Sequence, residues 1–254
     1  MKLSSIVSVL TLGATALASP QPKGYPTHLP TTVIAGVDVV DTQIVRDAQA
    51  LIKKFPDYLY WHCMRTWLLG AATINANKTL KAQVDLEAHA LGTILHDLGW
   101  DMTPNSPWVT KENRFEVDGG LGAQRFIKAH KSYHPSVWTD IRLERIYDGI
   151  ALHGTFGIHP YKNVDSKWIT NSVGFDGVNY TPVEVPSDKF ASIIKKFPKE
   201  SFQKGAIDTF TWMCATKPNG TYNTFVEPFG TAYVPGYNST GKHSFDRITA
   251  GYKQ

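Results

Sequence analysis

The pair His96–Asp97 has the clearest chemical potential in this sequence. It follows the apolar segment 91–95 and stands just before Leu98 and Gly99, where a helix can end. Two adjacent titratable side chains are costly to bury unless something compensates them, and a metal ion between them would do so. A capping aspartate beside a hydrogen-bonded core histidine is the alternative that the dipeptide alone leaves open. The pair therefore predicts either a metal site or a structural turn at a helix end.

Two other segments carry residues of the same chemical types. His62 lies in the sequence YWHCMR at 60–65, three positions before Arg65, so the two side chains share one side of a helix. Asp176 lies in VGFDGV at 173–178. A histidine, a His-Asp pair and a later aspartate thus occur in that order along the chain.

This order resembles that of the HD-domain metal-dependent hydrolases, whose ligands are a His on one helix, a His-Asp pair on the next and an Asp on a later helix. The resemblance implies that His62, His96, Asp97 and Asp176 bind one metal ion. It covers roughly residues 41–217 and is greatest to the fungal cyanamide hydratase-like proteins. The landmarks shared with that group are RFEVDGG at 114–120, IALH at 150–153, FP at 197–198 and WMC at 212–214. The chain departs from the group at Cys63, where serine is common.

A site with both imidazole and carboxylate ligands suits one divalent transition metal, with zinc the first choice and iron, manganese, cobalt or nickel as alternatives. Such an ion lowers the pKa of bound water toward neutrality and so supplies a nucleophile. His153, at the end of an apolar helix, is expected to transfer protons, although a buried histidine bonded to a carbonyl is an equally simple interpretation. Arg65 would hold a carboxylate ligand or bind an anionic substrate. Asp97, His153 and Arg65 are therefore the expected catalytic residues.

The resemblance implies a metal-dependent hydrolase or hydro-lyase that adds water to a small nitrile-like or amide-like compound. Hydrolysis of a phosphate ester is the alternative, but phosphate needs several nearby cations and the sequence places only Arg65 at the site. A non-catalytic secreted glycoprotein with a vestigial site is a further alternative. The sequence lacks a Gly-x-Ser-x-Gly elbow, a phosphate-binding Gly-x-x-x-x-Gly-Lys loop, His-Glu-x-x-His and Cys-x-x-Cys.

The remaining histidines have less to suggest a site. His89 lies two helical turns before His96 and is expected to pack in the core. His130 and His134 have the spacing of a zinc pair, but Pro135 follows and no carboxylate completes the set, so we expect surface positions. His159 and His243 have no convincing partners.

Helical periodicity dominates the sequence and predicts an all-α fold. The resemblance implies that residues 41–216 form a helical bundle of the HD type. The alternation of polar and apolar residues that is typical of strands is almost absent before the C-terminal part of the chain. An extended segment is expected at 19–40 and an irregular Gly-, Thr- and Tyr-rich arm at 217–254. The predicted helices are Asp41–Phe55, Asp57–Ala76, Gln83–Leu98, Leu121–Ala129, Ser136–Leu152, Asp165–Phe175, Ser187–Phe197 and Ser201–Thr216.

The first 18 residues have the order of a secretory signal peptide, so we expect an extracellular protein. Four Asn-x-Ser/Thr sites, at Asn77, Asn179, Asn219 and Asn238, agree with that route. Cys63 and Cys214 allow one disulfide or two buried thiols, and their apolar helical surroundings favour the thiols narrowly.

The composition excludes several classes of function. The chain has 254 residues, of which 42% are hydrophobic, and a net charge of only +4. Its basic residues are scattered, so neither nucleic acid nor a membrane surface is an expected partner. A small-molecule substrate is the expected partner, and the oligomeric state stays open.

Overall fold

Helices make up most of residues 28–177 and 182–252, the part of the chain that the computed structural model describes. The predicted all-α fold is confirmed. The predicted signal peptide and the site at Asn179 lie outside the described residues. The helices are α1 (Gln43–Ile52), α2 (Asp57–Ala76), α3 (Lys78–Lys81), α4 (Leu86–Ile94), α5 (Phe115–Ala129), α6 (Asp140–Ala151), α7 (Val164–Gly174), α8 (Ser187–Lys196), α9 (Phe202–Thr216), α10 (Glu227–Tyr233) and α11 (Ser244–Thr249).

Helix α2 lies at the centre because it is apolar on nearly every side. All its residues from His62 to Ile74 are buried, and α4, α7, α8 and α9 pack around it. Its bounds are those predicted, since Pro56 fixes the start and the apolar run continues without a break. Side chains on such a helix are held firmly, so His62 and Arg65 have well-defined positions.

Helix α5 begins at Phe115, well before the predicted start at Leu121. The glycines at 119 and 120 therefore lie inside the helix. A Cβ atom at Gly119 would collide with the backbone oxygen of His96, and one at Gly120 with the ring of Tyr147. The missing side chains let α5 pack tightly against α6 and against the turn that carries His96.

The N-terminal segment forms an antiparallel hairpin, which the sequence analysis did not predict. Strands β1 (Thr31–Ile34) and β2 (Val37–Val40) pair through a turn in which Ala35 and Gly36 both have positive φ angles. Strand β2 packs against α2 and α4, with its valines buried. Neither strand, TTVI or VDVV, alternates strictly between polar and apolar residues, so the pattern typical of a strand is absent.

The arm after residue 216 is more ordered than predicted. Val226 is buried, and α10 packs on α9. Lys217 forms a buried ion pair with Asp118 of α5, with 2.6 Å between Nζ and Oδ2. The expectation of an irregular arm is therefore wrong for α10 and for the short helix α11, because aromatic and ionic contacts order a segment with little helical periodicity.

Both cysteines are buried and free. The sequence analysis favoured these two buried thiols over a disulfide. Burial raises the pKa of each thiol, so both stay protonated at neutral pH. Among the described helices, none is long and apolar enough to cross a membrane.

His89 packs in the core as predicted, and its burial contributes to the dependence of stability on pH. Its Nε2 atom lies 2.8 Å from Ser172 Oγ, and burial lowers the pKa of the ring from 6.5 to about 3. Between these values the unfolded chain binds a proton that the folded chain does not, so the free energy of unfolding falls as the pH falls below 6.5. From pH 7 to pH 5 this one group is expected to cost about 2 kcal/mol.

Urea unfolding of the wild type and of His89→Gln at both pH values measures this contribution. The variant is expected to lose about 2 kcal/mol less between pH 7 and pH 5, because glutamine does not titrate. Equal losses in the two proteins would show that His89 is not the titrating group.

Candidate metal centre

His96 and Asp97 lie in a turn just beyond the end of α4. The helix ends at Ile94 rather than at the predicted Leu98, and a short 3₁₀ turn, Leu98–Trp100, follows the pair. A Cβ atom at Gly99 would collide with the backbone oxygen of Phe115, so only glycine lets this turn pack against the start of α5. Because the chain turns here, two adjacent side chains can point into one space, which they could not do within a helix.

Three acceptor atoms from His62, His96 and Asp97 face one another in this space. His62 Nε2 lies 3.1 Å from His96 Nε2, and Asp97 Oδ2 lies 3.1 Å from His96 Nε2 and 3.4 Å from His62 Nε2. All three residues are buried. The structure thus brings together three of the four predicted ligands, and this group can hold a metal ion.

The hydrogen bonds on the far side of each ring determine where its proton is. His96 Nδ1 donates to the backbone oxygen of Thr93 at 2.8 Å, and His62 Nδ1 donates to Asp176 Oδ2 at 2.7 Å. A carbonyl or carboxylate oxygen only accepts, so in the neutral rings both Nε2 atoms carry lone pairs. Two lone pairs at 3.1 Å repel each other unless a cation lies between them.

The distances fit a bound ion. Nitrogen and oxygen ligands about 2.0–2.2 Å from one ion, at angles of about 90–110°, lie roughly 2.8–3.6 Å from one another. The three observed separations fall within that range. In addition, neither carboxylate oxygen of the buried Asp97 accepts a hydrogen bond within the described part of the chain. A cation would satisfy this carboxylate and both rings at once.

Electrostatics at the cluster also favour a positive charge. Although burial lowers the pKa of His96, the adjacent Asp97 carboxylate raises it overall. Burial raises the pKa of Asp97, but His96 and His62 more than offset this and hold it below its usual value. The Asp97 carboxylate is therefore ionised at neutral pH, as a metal ligand must be.

Asp176 lies on the opposite side of the His62 ring from the three acceptor atoms. Its carboxylate accepts from His62 Nδ1 and from Arg65 Nε, the latter at 2.9 Å, and Lys199 Nζ lies 3.2 Å from Oδ1. These contacts overcome the effect of burial and lower the pKa of Asp176 to about 2. In this geometry the Asp176 carboxylate faces His62 Nδ1 and orients the ring, and its role as a metal ligand stays a prediction.

Arg65 holds this carboxylate and does not face the acceptor atoms. Its guanidinium is fully buried, and its Nη1 donates to the backbone oxygens of Phe197 and Pro198. Of the two predicted roles, holding a carboxylate agrees with these contacts, while binding an anionic substrate would need an accessible guanidinium. Arg65 is therefore a positioning residue that acts through Asp176 and His62.

His153 lies at the edge of the cluster. Its Nδ1 donates to the backbone oxygen of Ile150, and its Nε2 lies 3.7 Å from Asp97 Oδ1. Burial and the nearby His96 lower the pKa of this ring, so it is neutral at pH 7 with a lone pair on Nε2. The hydrogen bond from His153 Nδ1 to a carbonyl leaves Nε2 free beside Asp97. A buried histidine bonded to a carbonyl can therefore also be placed for proton transfer.

Aromatic rings enclose the cluster, and the sequence analysis did not identify them as site residues. Phe202 stacks on His62 with 4.3 Å between ring centroids, and the Trp100 ring is parallel to that of Phe202. Phe115 packs edge-on against His153. Two sequence features could have identified these rings. Phe115 belongs to the shared segment at 114–120, and Trp100 follows the His-Asp pair closely. These rings exclude water and lower the local dielectric around the polar atoms.

Replacing Asp176 by asparagine tests its assignment as an orienting group. We expect metal affinity to fall about 10–100-fold while the binding stoichiometry at saturation stays at one ion, because the ligand atoms remain and only the support of His62 weakens. Competition titration with a chelator of known affinity measures this. Asp165→Asn is the matched control, since Asp165 is also buried beside an arginine but lies in a different cluster. Complete loss of binding in Asp176→Asn would make Asp176 a ligand.

His130, His134 and His243 lie outside the cluster. His134 is exposed as predicted. The surface position predicted for His130 is wrong, because its side chain is only 7% exposed and pairs with Asp47 at 3.0 Å. His243 contacts Glu227 and Asp246, partners that the sequence did not indicate. Comparison of the chain with family models and with curated proteins gives no match, so its function has to be argued from these residues.

Proposed function

We propose that this protein is a secreted metal-dependent enzyme of the HD type that adds water to a small nitrile-like or amide-like substrate. One observation carries the proposal: three buried acceptor atoms, of His62, His96 and Asp97, face one another at 3.1–3.4 Å without a hydrogen-bond donor between them. The order of His62, the His-Asp pair and Asp176, which resembles the HD-domain hydrolases, supports the same class.

Zinc is the first candidate for the ion, and iron, manganese, cobalt and nickel also suit two imidazoles and a carboxylate. When bound, such an ion supplies a Lewis acid that makes water nucleophilic near neutral pH. The chain supplies the remaining functions. Asp176 and the Thr93 carbonyl fix the tautomers of the two ligand histidines, and Arg65 fixes Asp176.

His153 is the proton-transfer residue in this proposal. Because its Nδ1 donates to a carbonyl, its Nε2 can accept a proton beside Asp97. In nitrile hydration, a bond forms between the water oxygen and the nitrile carbon while one carbon–nitrogen π bond breaks. His153 takes one proton from the water and gives it to the nitrogen, which forms an imidic acid. The second proton then moves from the oxygen to the nitrogen while the remaining carbon–nitrogen π bond is replaced by a carbon–oxygen π bond, which completes the amide. No other reactant is consumed.

The charges near the cluster favour an uncharged substrate over a phosphate ester. Arg65 and Lys199 both contact Asp176, and Arg114 contacts Glu116 with 2.6 Å between Nη2 and Oε1. These cations neutralise carboxylates of the protein, whereas phosphoryl transfer needs cations directed at the phosphate oxygens. Trp100 Nε1, buried without a hydrogen-bond partner in the described residues, offers a donor to a neutral polar molecule.

Secretion is part of the proposal and rests on the leader-like sequence of residues 1–18. Three of the Asn-x-Ser/Thr glycosylation sites support secretion, because Asn77, Asn219 and Asn238 are exposed. A glycan needs an accessible asparagine.

A matched assay of cyanamide and a generic phosphomonoester with the same metal-loaded protein tests the activity. We expect cyanamide hydration that a chelator abolishes and that His153→Ala lowers about 10²–10⁴-fold in kcat with the metal content retained. His134→Ala, which removes an exposed histidine, is the control and is expected to keep wild-type turnover.

Two results would contradict the proposal in different ways. Phosphatase turnover well above cyanamide hydration, lost in His96→Ala, would make the protein a phosphohydrolase. Metal binding without turnover of either compound, or of larger nitriles and amides, would favour the non-catalytic alternative.

A further inference from the structure

A cavity of about 490 Å³ adjoins the cluster at His153. It is bounded by the residues that follow α6, by the C-terminal half of α7 and, beyond α7, by Gly177 and Glu184. Its walls include His153, Phe156, Trp168, Asn171 and Gly174. His153 borders both the cavity and the metal cluster. Its ring lines the cavity, and its Nε2 lies 3.7 Å from Asp97 Oδ1.

The size of this cavity exceeds what the smallest nitriles need. Cyanamide has three heavy atoms and occupies roughly twice the ~30 Å³ that one water takes in the liquid. The cavity instead falls within the range of about 300–1,000 Å³ that is usual for sites of larger organic ligands. A substrate that filled it would carry a substantial group besides the reacting one.

The walls indicate the chemistry of that group. Trp168 and Phe175 meet edge to face with 6.3 Å between ring centroids, and Phe156 at the rim is 88% exposed. Exposed aromatic surface beside a cavity is typical of a binding site for an apolar ligand. Asn171 also lines the cavity, so its side-chain amide can pair with a neutral polar group.

We propose that this cavity binds an aromatic or similarly bulky apolar group of the substrate, so that the preferred substrate is an aryl-type nitrile, hydrated to its amide, rather than cyanamide. The inference rests on the proposed function and adds the substrate class. The apolar group would lie against Trp168 and Phe175, and the reacting carbon would be presented at His153. The reaction itself is unchanged, with water added across one carbon–nitrogen π bond.

Gly174 allows the cavity to be filled without disturbing the fold. A Cβ atom at this position would have no atom within 4 Å, and its backbone is helical rather than left-handed. Gly174→Trp therefore places a large side chain at the cavity wall at little cost in strain. Ile141→Trp is the matched control, because it adds the same side chain at an exposed position on α6. Phe156→Ser, at the exposed rim, is a second variant that carries little risk of misfolding.

The experiment measures benzamide binding by calorimetry and the kcat/KM values for benzonitrile and cyanamide, all on metal-loaded protein. In the wild type, kcat/KM for benzonitrile is expected to exceed that for cyanamide at least about tenfold. Gly174→Trp should weaken benzamide binding and reduce the benzonitrile-to-cyanamide ratio, each at least about tenfold, and Phe156→Ser should weaken binding severalfold. Ile141→Trp should bind benzamide like the wild type.

The outcomes separate this inference from the proposed function. Cyanamide hydration at least equal to that of benzonitrile, or benzamide binding that Gly174→Trp does not change, would overturn the inference and leave the function standing. Absence of saturable benzamide binding at millimolar concentration would overturn it as well. Saturable binding that Gly174→Trp abolishes, without hydration of either nitrile, would support the cavity as an apolar ligand site and contradict the proposed reaction.

Discussion

Replacing His62 by alanine is expected to reduce bound metal from about one ion per chain to a small fraction of that value. Only His96 and Asp97 would remain of the three facing ligand atoms, and two ligands hold a divalent ion far more weakly than three. Asp97→Ala is expected to have the same effect, because it removes the ionised oxygen ligand. Elemental analysis after dialysis against metal-free buffer measures the metal content directly.

Thermal unfolding with and without added zinc gives a second, independent measurement. An ion that binds only the folded chain raises the Tm, and the increase grows with the ratio of free metal to Kd. We expect zinc to raise the Tm of the wild type and of His134→Ala, and to have little effect on His62→Ala. Full metal content in both His62→Ala and Asp97→Ala would show that the ion binds elsewhere in the protein.

The parts of this site that the sequence predicted are those with strong local signals. Helix α2 was predicted with its observed bounds because proline precedes it and its apolar run is long, and that helix places His62. The His96–Asp97 pair was conspicuous because titratable residues are rare in such an apolar stretch. The Asp176 carboxylate, which the resemblance to HD-domain hydrolases grouped with these residues as a ligand, contacts the His62 ring.

The parts that the sequence did not predict depend on distant contacts. Whether Asp176 faces Nε2 or Nδ1 of His62 is decided by Arg65 and by the segment after α8, which no local pattern encodes. Phe202 and Trp100 come together only through tertiary packing, so neither was identified as part of the site. The early start of α5 was missed because glycines usually weaken a helix, whereas here they allow close packing against His96.

A buried ionic cluster fixes the start of α4, the helix whose other end leads into the His-Asp turn. Arg142 of α6 is 1% exposed and donates to Asp85 from Nε at 2.6 Å and to Glu87 from Nη2 at 2.9 Å. Asp85 also accepts from the backbone nitrogen of Ala88 and so caps the helix. The guanidinium carbon of Arg142 lies 3.6 Å from the centroid of the Trp138 ring.

Arg142→Met is expected to lower the free energy of unfolding by about 3–5 kcal/mol, because it leaves two buried carboxylates without their cation. Urea unfolding of the metal-free protein measures this without a contribution from the ion. Lys204→Met is the matched control. It breaks an ion pair with Asp208 in which the lysine side chain is 81% exposed, and such pairs contribute less than about 1 kcal/mol.

Removing the carboxylates together with the arginine distinguishes a charge effect from a packing effect. In Arg142→Met with Asp85→Asn and Glu87→Gln, no unpaired charge is left on these three side chains, and the amide introduced at position 85 still has an oxygen that can accept from Ala88. The triple variant is therefore expected to be more stable than Arg142→Met alone, although it has more substitutions. If it were less stable, the methionine would be failing to replace the contacts of Arg142 with Trp138, and packing rather than desolvated charge would account for the loss.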